Sequence, residues 1–350
     1  MHEESVLPLA EVLAGCFEQF QNQSLLIQFW GLTGGDQRVI LRVMKAMNRR
    51  EMLAHTGLAA LTLGLFPSTL DAALFRRRKR KVLFFSKSSG YEHEVIKRVN
   101  GQPSFVEKLL QQWGPQEDIE FTFSKDGSLF SPDYLHQFDA YFFYTTGDLT
   151  QAGNDKNPPM TPEGKKAFLD AIHHGKGFIG THSATDTFHS PYYANRATMY
   201  KNDPPGQRDP YIDMIGGEFI IHGAQQHSLL IPTDRHFPGL KDFPDDFGPV
   251  EEWYTLKNFA SNLHVLLIQD TKGMKGPMYN RPPYPSTWAR FYGRGRVFYT
   301  NMGHREDIWT NPVFKQVLFG GIHWATHTAR ARIRPNIDQV TPKASQTPTA

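Results

Sequence analysis

The chain has 350 residues and a formal net charge of +3, room for one large domain with extensions at its ends. Its single cysteine, Cys16, excludes internal disulfides, a Cys-ligated zinc site and, in the body of the chain, a cysteine nucleophile. The basic run Arg76 to Lys81 flanks an apolar segment and reads as a signal-flanking feature rather than a nucleic-acid patch.

The first elements concern targeting. Arg49 and Arg50 stand just before the apolar run Leu53 to Phe66, which is shorter than a membrane span and is followed by Ser68, Ala72 and Ala73. This is the shape of a twin-arginine export signal over residues 47–73. It implies a periplasmic or other extracytoplasmic protein, touching a membrane only where the signal stays uncleaved. Such signals lead their chains, so residues 1–46 read as an over-extended gene start.

From Lys81 a βα rhythm begins. Val82 to Ser86 predicts a strand, Phe105 to Trp113 an amphipathic helix, Ile119 to Phe123 a second strand, and Ser131-Pro132-Asp133 the start of a short helix. Tyr141 to Thr145 predicts a third strand, and Thr161-Pro162 opens a helix that stops at Gly175. Strands alternating with helices imply a parallel sheet covered on both faces. Gly177-Phe178-Ile179 is the central strand. It runs into Gly180-Thr181-His182-Ser183-Ala184, a tight strand-to-helix turn of the kind that displays a nucleophile, with His182 at the displayed position.

Beyond Thr187 the rhythm changes. His189 to Asp209 reads as a long irregular loop. Gln226 to Pro232, Val250 to Leu256 and Leu263 to Gln269 read as strands. Trp288 to Tyr299 forms a hairpin about Gly293-Arg294-Gly295, and Asn311 to Ala325 a last helix. Residues 328–350 are polar and rich in Pro, Thr and Ser, the composition of a disordered tail.

Ligands of an open parallel sheet sit outside the carboxyl ends of its strands. His182, His222 and His304 lie beside glycines at such ends, accompanied by Asp186, Glu251 and Glu252. Neutral imidazole is both a general base and a metal ligand. Acid–base chemistry needs one positioned histidine and one carboxylate. The catalytic candidates are therefore His182, His304, Glu252 and Asp186. Substrate-binding candidates are His222, Tyr254, Trp288 and Ser183, aromatic faces suiting sugar rings and polar tips suiting hydroxyls. Ser183 could also act as a nucleophile with a histidine as base. A divalent metal held by His182, His222 and His304 with Glu252 is the other chemistry these residues allow, although no short ligand spacing announces it. Gly293-Arg294-Gly295 lacks the strand, glycine pattern and helix of a dinucleotide loop, so no nucleotide cofactor is expected.

As a set, these motifs resemble the ThuA-like, or trehalose-utilisation, family. The matching residues are Gly175 to Ala184, Ile215-Gly216-Gly217-Glu218-Phe219 with His222, Glu251-Glu252-Trp253-Tyr254, Trp288-Ala289-Arg290, Tyr292 to Tyr299, Gly303-His304 and Gly321 to Ala325. The resemblance spans about Lys81 to His327. It implies a flavodoxin-like, doubly wound, mostly parallel sheet of the class I glutamine amidotransferase type without that fold's cysteine, here with an added hairpin and the insertion His189 to Asp209. It also implies a place in sugar metabolism, on disaccharides that a partner dehydrogenase has oxidised to 3-keto sugars. The expected partner is thus a small carbohydrate, with no nucleic acid. Two rival readings are a non-catalytic carbohydrate-binding protein and a metal-dependent hydrolase.

Overall fold

Short runs of bulky apolar residues pair side by side because both faces of the resulting sheet are covered. The computed structural model describes residues 78–348. The proposed extension, the twin-arginine segment and Cys16 lie outside the described residues. Strands β1 (Arg80–Phe85), β2 (Ile119–Ser124), β3 (Ala140–Phe143), β4 (Gly177–Thr181) and β12 (Gly295–Thr300) are parallel. The antiparallel strands β11 (Tyr284–Tyr292), β10 (His264–Gln269) and β7 (Leu230–Pro232) extend them, giving the order β2-β1-β3-β4-β12-β11-β10-β7.

Alternation along each strand divides the core in two. Val82, Phe84, Phe142, Ile179 and Phe298 face one layer with α1 (Phe105–Trp113) and α6 (Pro312–Ala325). Leu83, Phe85, Tyr141, Phe143, Phe178 and Val297 face the other with α3 (Pro162–His173) and α4 (Pro210–Ile215). The remaining helices are the short α2 (Pro132–His136), α5 (Glu306–Trp309) and α7 (Ile337–Val340). Helix starts follow the sequence closely. Ser104 and Glu107 close a capping box on α1, and Thr161 and Asn311 cap α3 and α6 with proline in the first turn. The predicted doubly wound sheet is therefore present.

Two predicted strands are each divided. Gln226 to Pro232 becomes β6 (Gln226–His227) and β7, and Val250 to Leu256 becomes β8 (Val250–Glu251) and β9 (Tyr254–Lys257). β6 pairs with β8, whereas β9 pairs with β5 (Glu218–His222). The change of partner falls at Glu252-Trp253, and it is this break that turns Glu252 towards the histidines.

The end of the chain corrects a composition-based expectation. Residues 328–348, expected to be disordered, follow an ordered path that includes α7. β7 pairs with β10 only at Leu267 to Gln269, so Val265, earlier on the same edge, has no strand beside it there among the described residues. The Asn336 side chain accepts from Val265 N at 2.6 Å and donates to its carbonyl at 3.1 Å. Arg281 donates to the Ala344 carbonyl at 2.7 Å, and Ile337 is buried. A polar tail is held here by polar atoms that the sheet leaves unpaired.

Candidate functional site

The site lies at the carboxyl ends of β1, β4 and β12. β4 ends in a turn in which His182 adopts φ +45°, a left-handed conformation rare outside glycine. That turn drives the imidazole inward, and the residue is fully buried. Its Nδ1 donates to the Asn301 carbonyl at 3.2 Å, which fixes the tautomer. Nε2 is left as an acceptor, 3.5 Å from Glu252 Oε2 and 3.3 Å from His304 Nδ1. His304 Nδ1 is in turn 3.1 Å from the same carboxylate oxygen. Glu252 Oε1 lies 3.3 Å from His222 Nδ1, so the outer oxygen faces the exposed histidine and the inner oxygen the buried ones.

His93 completes the cluster. It follows β1, is 2% exposed, and packs edge-to-face on His182 and His304 with centroid separations of 4.9 and 5.2 Å. His182 and His304 are themselves 5.2 Å apart, so the three rings form a near-equilateral triangle. Tyr254 packs on His182 at 4.2 Å, and its hydroxyl lies 3.4 Å from His93 Nε2. His93, His182, Glu252 and His304 each offer one donor atom, all within 4.8 Å of one another.

Electrostatics sorts these groups. Burial pushes His182 down, more than its contact with Glu252 restores. Burial, reinforced by the neighbouring histidines, pushes His93 well down. Both rings are therefore neutral near pH 7. Burial opposes ionisation of Glu252, but the imidazoles of His182 and His304 beside it outweigh burial and hold the carboxyl well below its usual range. Glu251 next to it behaves oppositely. Burial raises it to about 7 against hydrogen bonds from backbone N–H groups.

Glu251 is a positioning residue. Its carboxyl accepts from the backbone N–H groups of Glu252 at 2.8 Å, Gly303 at 2.9 Å and His304 at 3.2 Å, tying the two catalytic candidates to one buried group. The Gly303 carbonyl accepts from Tyr144 Oη at 2.9 Å and Trp309 Nε1 at 2.7 Å. Gly303 has φ +129°, and a Cβ there would stand 2.7 Å from Thr181 Oγ1. Gly303→Ala is therefore expected to cost more than about 1 kcal/mol of stability and to displace His304. Denaturant unfolding and site activity measured on the same variant check both effects.

The other expected residues separate. His222 borders the cluster, 3.3 Å from Glu252 and stacked on Tyr254 at a centroid separation of 5.8 Å. Asp186 turns away from it, 2.9 Å from His189 Nε2, and His189 Nδ1 is 3.2 Å from Glu218. Tyr254 belongs to the site as a buried support. Trp288 does not line it: the indole is fully buried, donates to the Ile215 carbonyl at 2.8 Å and packs on Tyr299. Ser183 is buried in the turn after His182 and its hydroxyl has no partner among the described residues, so no base is in place to activate it. A cleft of about 450 Å³ bordered by Glu94, Gln225, His304 and Arg305 opens beside the cluster.

The trehalose-utilisation (ThuA) family pattern matches residues 81–325. The chain belongs to the ThuA family. Among solved structures it is similar to a protein described as ThuA-like from Bacteroides uniformis, at 17% identity and a TM-score of 0.52, over 71% of this chain and 92% of that one. A second, from Parabacteroides merdae, has 17% identity and a TM-score of 0.47 over 72% of this chain and 92% of that one. At that identity the first likeness speaks for the fold alone. No curated protein matches the chain. Within this ThuA domain, the histidine cluster occupies the strand ends at which an open α/β sheet binds its ligands.

Proposed function

We propose that this protein acts on an oxidised (3-keto) disaccharide or glycoside by acid–base chemistry, and that it is an exported member of the ThuA family. The observation that carries the reading is the His304–Glu252 pair at the mouth of a buried histidine cluster, with 3.1 Å between Nδ1 and Oε2. A ketone at C3 acidifies the hydrogen on C2. A base removes that proton, the C1–O glycosidic bond breaks as a C1=C2 double bond forms, and the departing oxygen takes a proton. Glu252, ionised near neutrality, suits the base, and His304, at the edge of the cleft, suits the acid. The substrate has to come from a dehydrogenase that oxidises the C3 hydroxyl. The paired arginines before the apolar run support export.

Incubating the purified protein with 3-keto-trehalose beside unoxidised trehalose tests the reading, with products followed by mass spectrometry. Conversion of the keto sugar alone is expected, reduced about 10²–10⁴-fold in His304→Ala. Tight binding of sugar without product over long incubation would instead mark a carbohydrate-binding protein. Equal turnover in the wild type, His304→Ala and Glu252→Gln would sink the acid–base assignment.

A further inference from the structure

We propose that His93, His182, His304 and Glu252 bind one divalent first-row transition metal ion, with Zn²⁺ the first candidate. The proposal rests on the same site as the functional reading given above: with the ion bound, Glu252 Oε2 and His304 Nδ1 are its ligands, and the free acid–base pair belongs to the metal-free protein.

Donor spacing is the first argument. A tetrahedral ion with bonds of about 2.0–2.1 Å has donor–donor edges of about 3.3–3.4 Å. The three measured edges among Glu252 Oε2, His182 Nε2 and His304 Nδ1 are 3.1, 3.3 and 3.5 Å. His93 supplies the fourth corner, its donor atom within 4.8 Å of the other three.

Proton counting is the second. The Asn301 carbonyl can only accept, so His182 Nδ1 holds the ring's proton and Nε2 presents a lone pair to the centre. Glu252 presents another. A proton on His304 Nδ1 joins His304 to Glu252 but is shared with His182 Nε2 at best. His93 Nδ1, buried, has no partner among the described residues. Lone pairs converging among buried rings cost free energy unless a cation or a proton receives them.

The hydrogen bonds behind the donor groups are the third. Metal-bound imidazoles usually donate their other N–H to a carbonyl or carboxylate. His182 does so to Asn301. Glu252 keeps its outer oxygen for His222, as a ligating carboxylate would. Three imidazoles and one carboxylate favour zinc, iron, cobalt or nickel over magnesium or calcium.

The test uses the full chain stripped with chelator and titrated with ZnCl₂ by calorimetry, and then with CoCl₂ by visible absorption. One equivalent of Zn²⁺ per chain is expected, and Co²⁺ should give the intense d–d band of a tetrahedral site. His93→Ala and Glu252→Gln should each weaken Zn²⁺ by at least about 10–100-fold, the loss typical of even an outer-shell change. The exposed His236→Ala should match the wild type. Circular dichroism identifies a variant that fails to fold, in which case the other, with the cobalt spectrum, decides. Absence of a stoichiometric site, or affinity unchanged in folded His93→Ala and Glu252→Gln, overturns the proposal. The two readings fail separately. Keto-sugar turnover in metal-free protein would leave acid–base chemistry standing without the ion, whereas stoichiometric metal without turnover would leave the ion and remove the substrate.

Discussion

Glu252→Gln is expected to lower turnover of a 3-keto-disaccharide by about 10²–10⁴-fold while leaving the fold in place. The carboxylate is used at both ends. Oε2 is shared by His182 and His304 at 3.5 and 3.1 Å, and Oε1 faces His222 at 3.3 Å. An amide keeps the shape but loses the charge, and one of its two ends becomes a donor. Turned inward, its NH₂ would satisfy the His182 lone pair and oppose the His304 N–H. Turned outward, it would leave His304 paired to a neutral acceptor. Neither arrangement supplies a base. The fold should survive because the amide keeps the carboxylate's shape and, among the described residues, no backbone N–H depends on the Glu252 side chain, unlike Glu251, whose three backbone hydrogen bonds hold Glu252, Gly303 and His304. Steady-state rates on the keto sugar, with unfolding curves on the same preparation, separate the two outcomes. A drop in rate of less than about tenfold, below the range for acid–base catalysis, would remove Glu252 from the chemistry.

Asp203→Ala is expected to cost about 3–5 kcal/mol of stability, the usual result of removing one partner from a buried ion pair. Asp203 lies in the insertion His189 to Asp209. Its carboxylate accepts from Lys257 Nζ at 2.9 Å, Asn258 Nδ2 at 2.9 Å and Tyr192 N at 2.8 Å. Both side chains of the ion pair are fully buried. Burial disfavours the Asp203 anion, but these three donors outweigh it and lower its pKa below the ordinary 3.8. A carboxylate shifted down in the folded state lends its full stability above that ordinary value. The contribution is lost as the pH falls through the lower, folded value. The wild type should therefore lose stability on the acid side below about pH 4, where the unfolded carboxylate begins to bind protons first. Asp203→Ala should be less stable at neutral pH and lose less on acidification. Urea unfolding at several pH values measures both. Parallel acid limbs in the two proteins would show that the pair contributes nothing to that slope.

Much of this architecture was legible because buried parallel strands are continuous apolar runs and their helices carry proline and polar caps. The β4 turn was legible too, since a glycine-flanked polar run after an apolar strand marks a strand end. The missed residue, His93, sits in the connection after β1 with no flanking glycine and no strand beside it. Applying the strand-end rule to every parallel strand, β1 included, would have found it. Trp288 misled for the opposite reason. A tryptophan that stacks on a sugar and one whose N–H is satisfied by a buried carbonyl are alike in sequence, and only the Ile215 carbonyl distinguishes them here. The break at Glu252-Trp253 was hidden because the apolar pattern continues through it while the pairing partner changes. In the tail, composition gave no hint of Asn336, whose role exists only because β7 stops short of Val265.

The four members of the cluster come from four segments far apart along the chain, with His93 and His304 separated by 304 − 93 = 211 positions. No local fragment contains the site, and a chain that stops before β12 lacks both His304 and a central strand. Contacts of such long range carry a loop-closure cost that is met only when distant parts of the chain come together. Whatever binds there recognises the completed domain only, and at 100 times its dissociation constant it adds about 2.7 kcal/mol to the stability of the whole. Occupancy of this pocket is therefore a gauge of global folding: ligand-dependent thermal protection would report the intact β1–β4–β12 junction rather than any one of its parts.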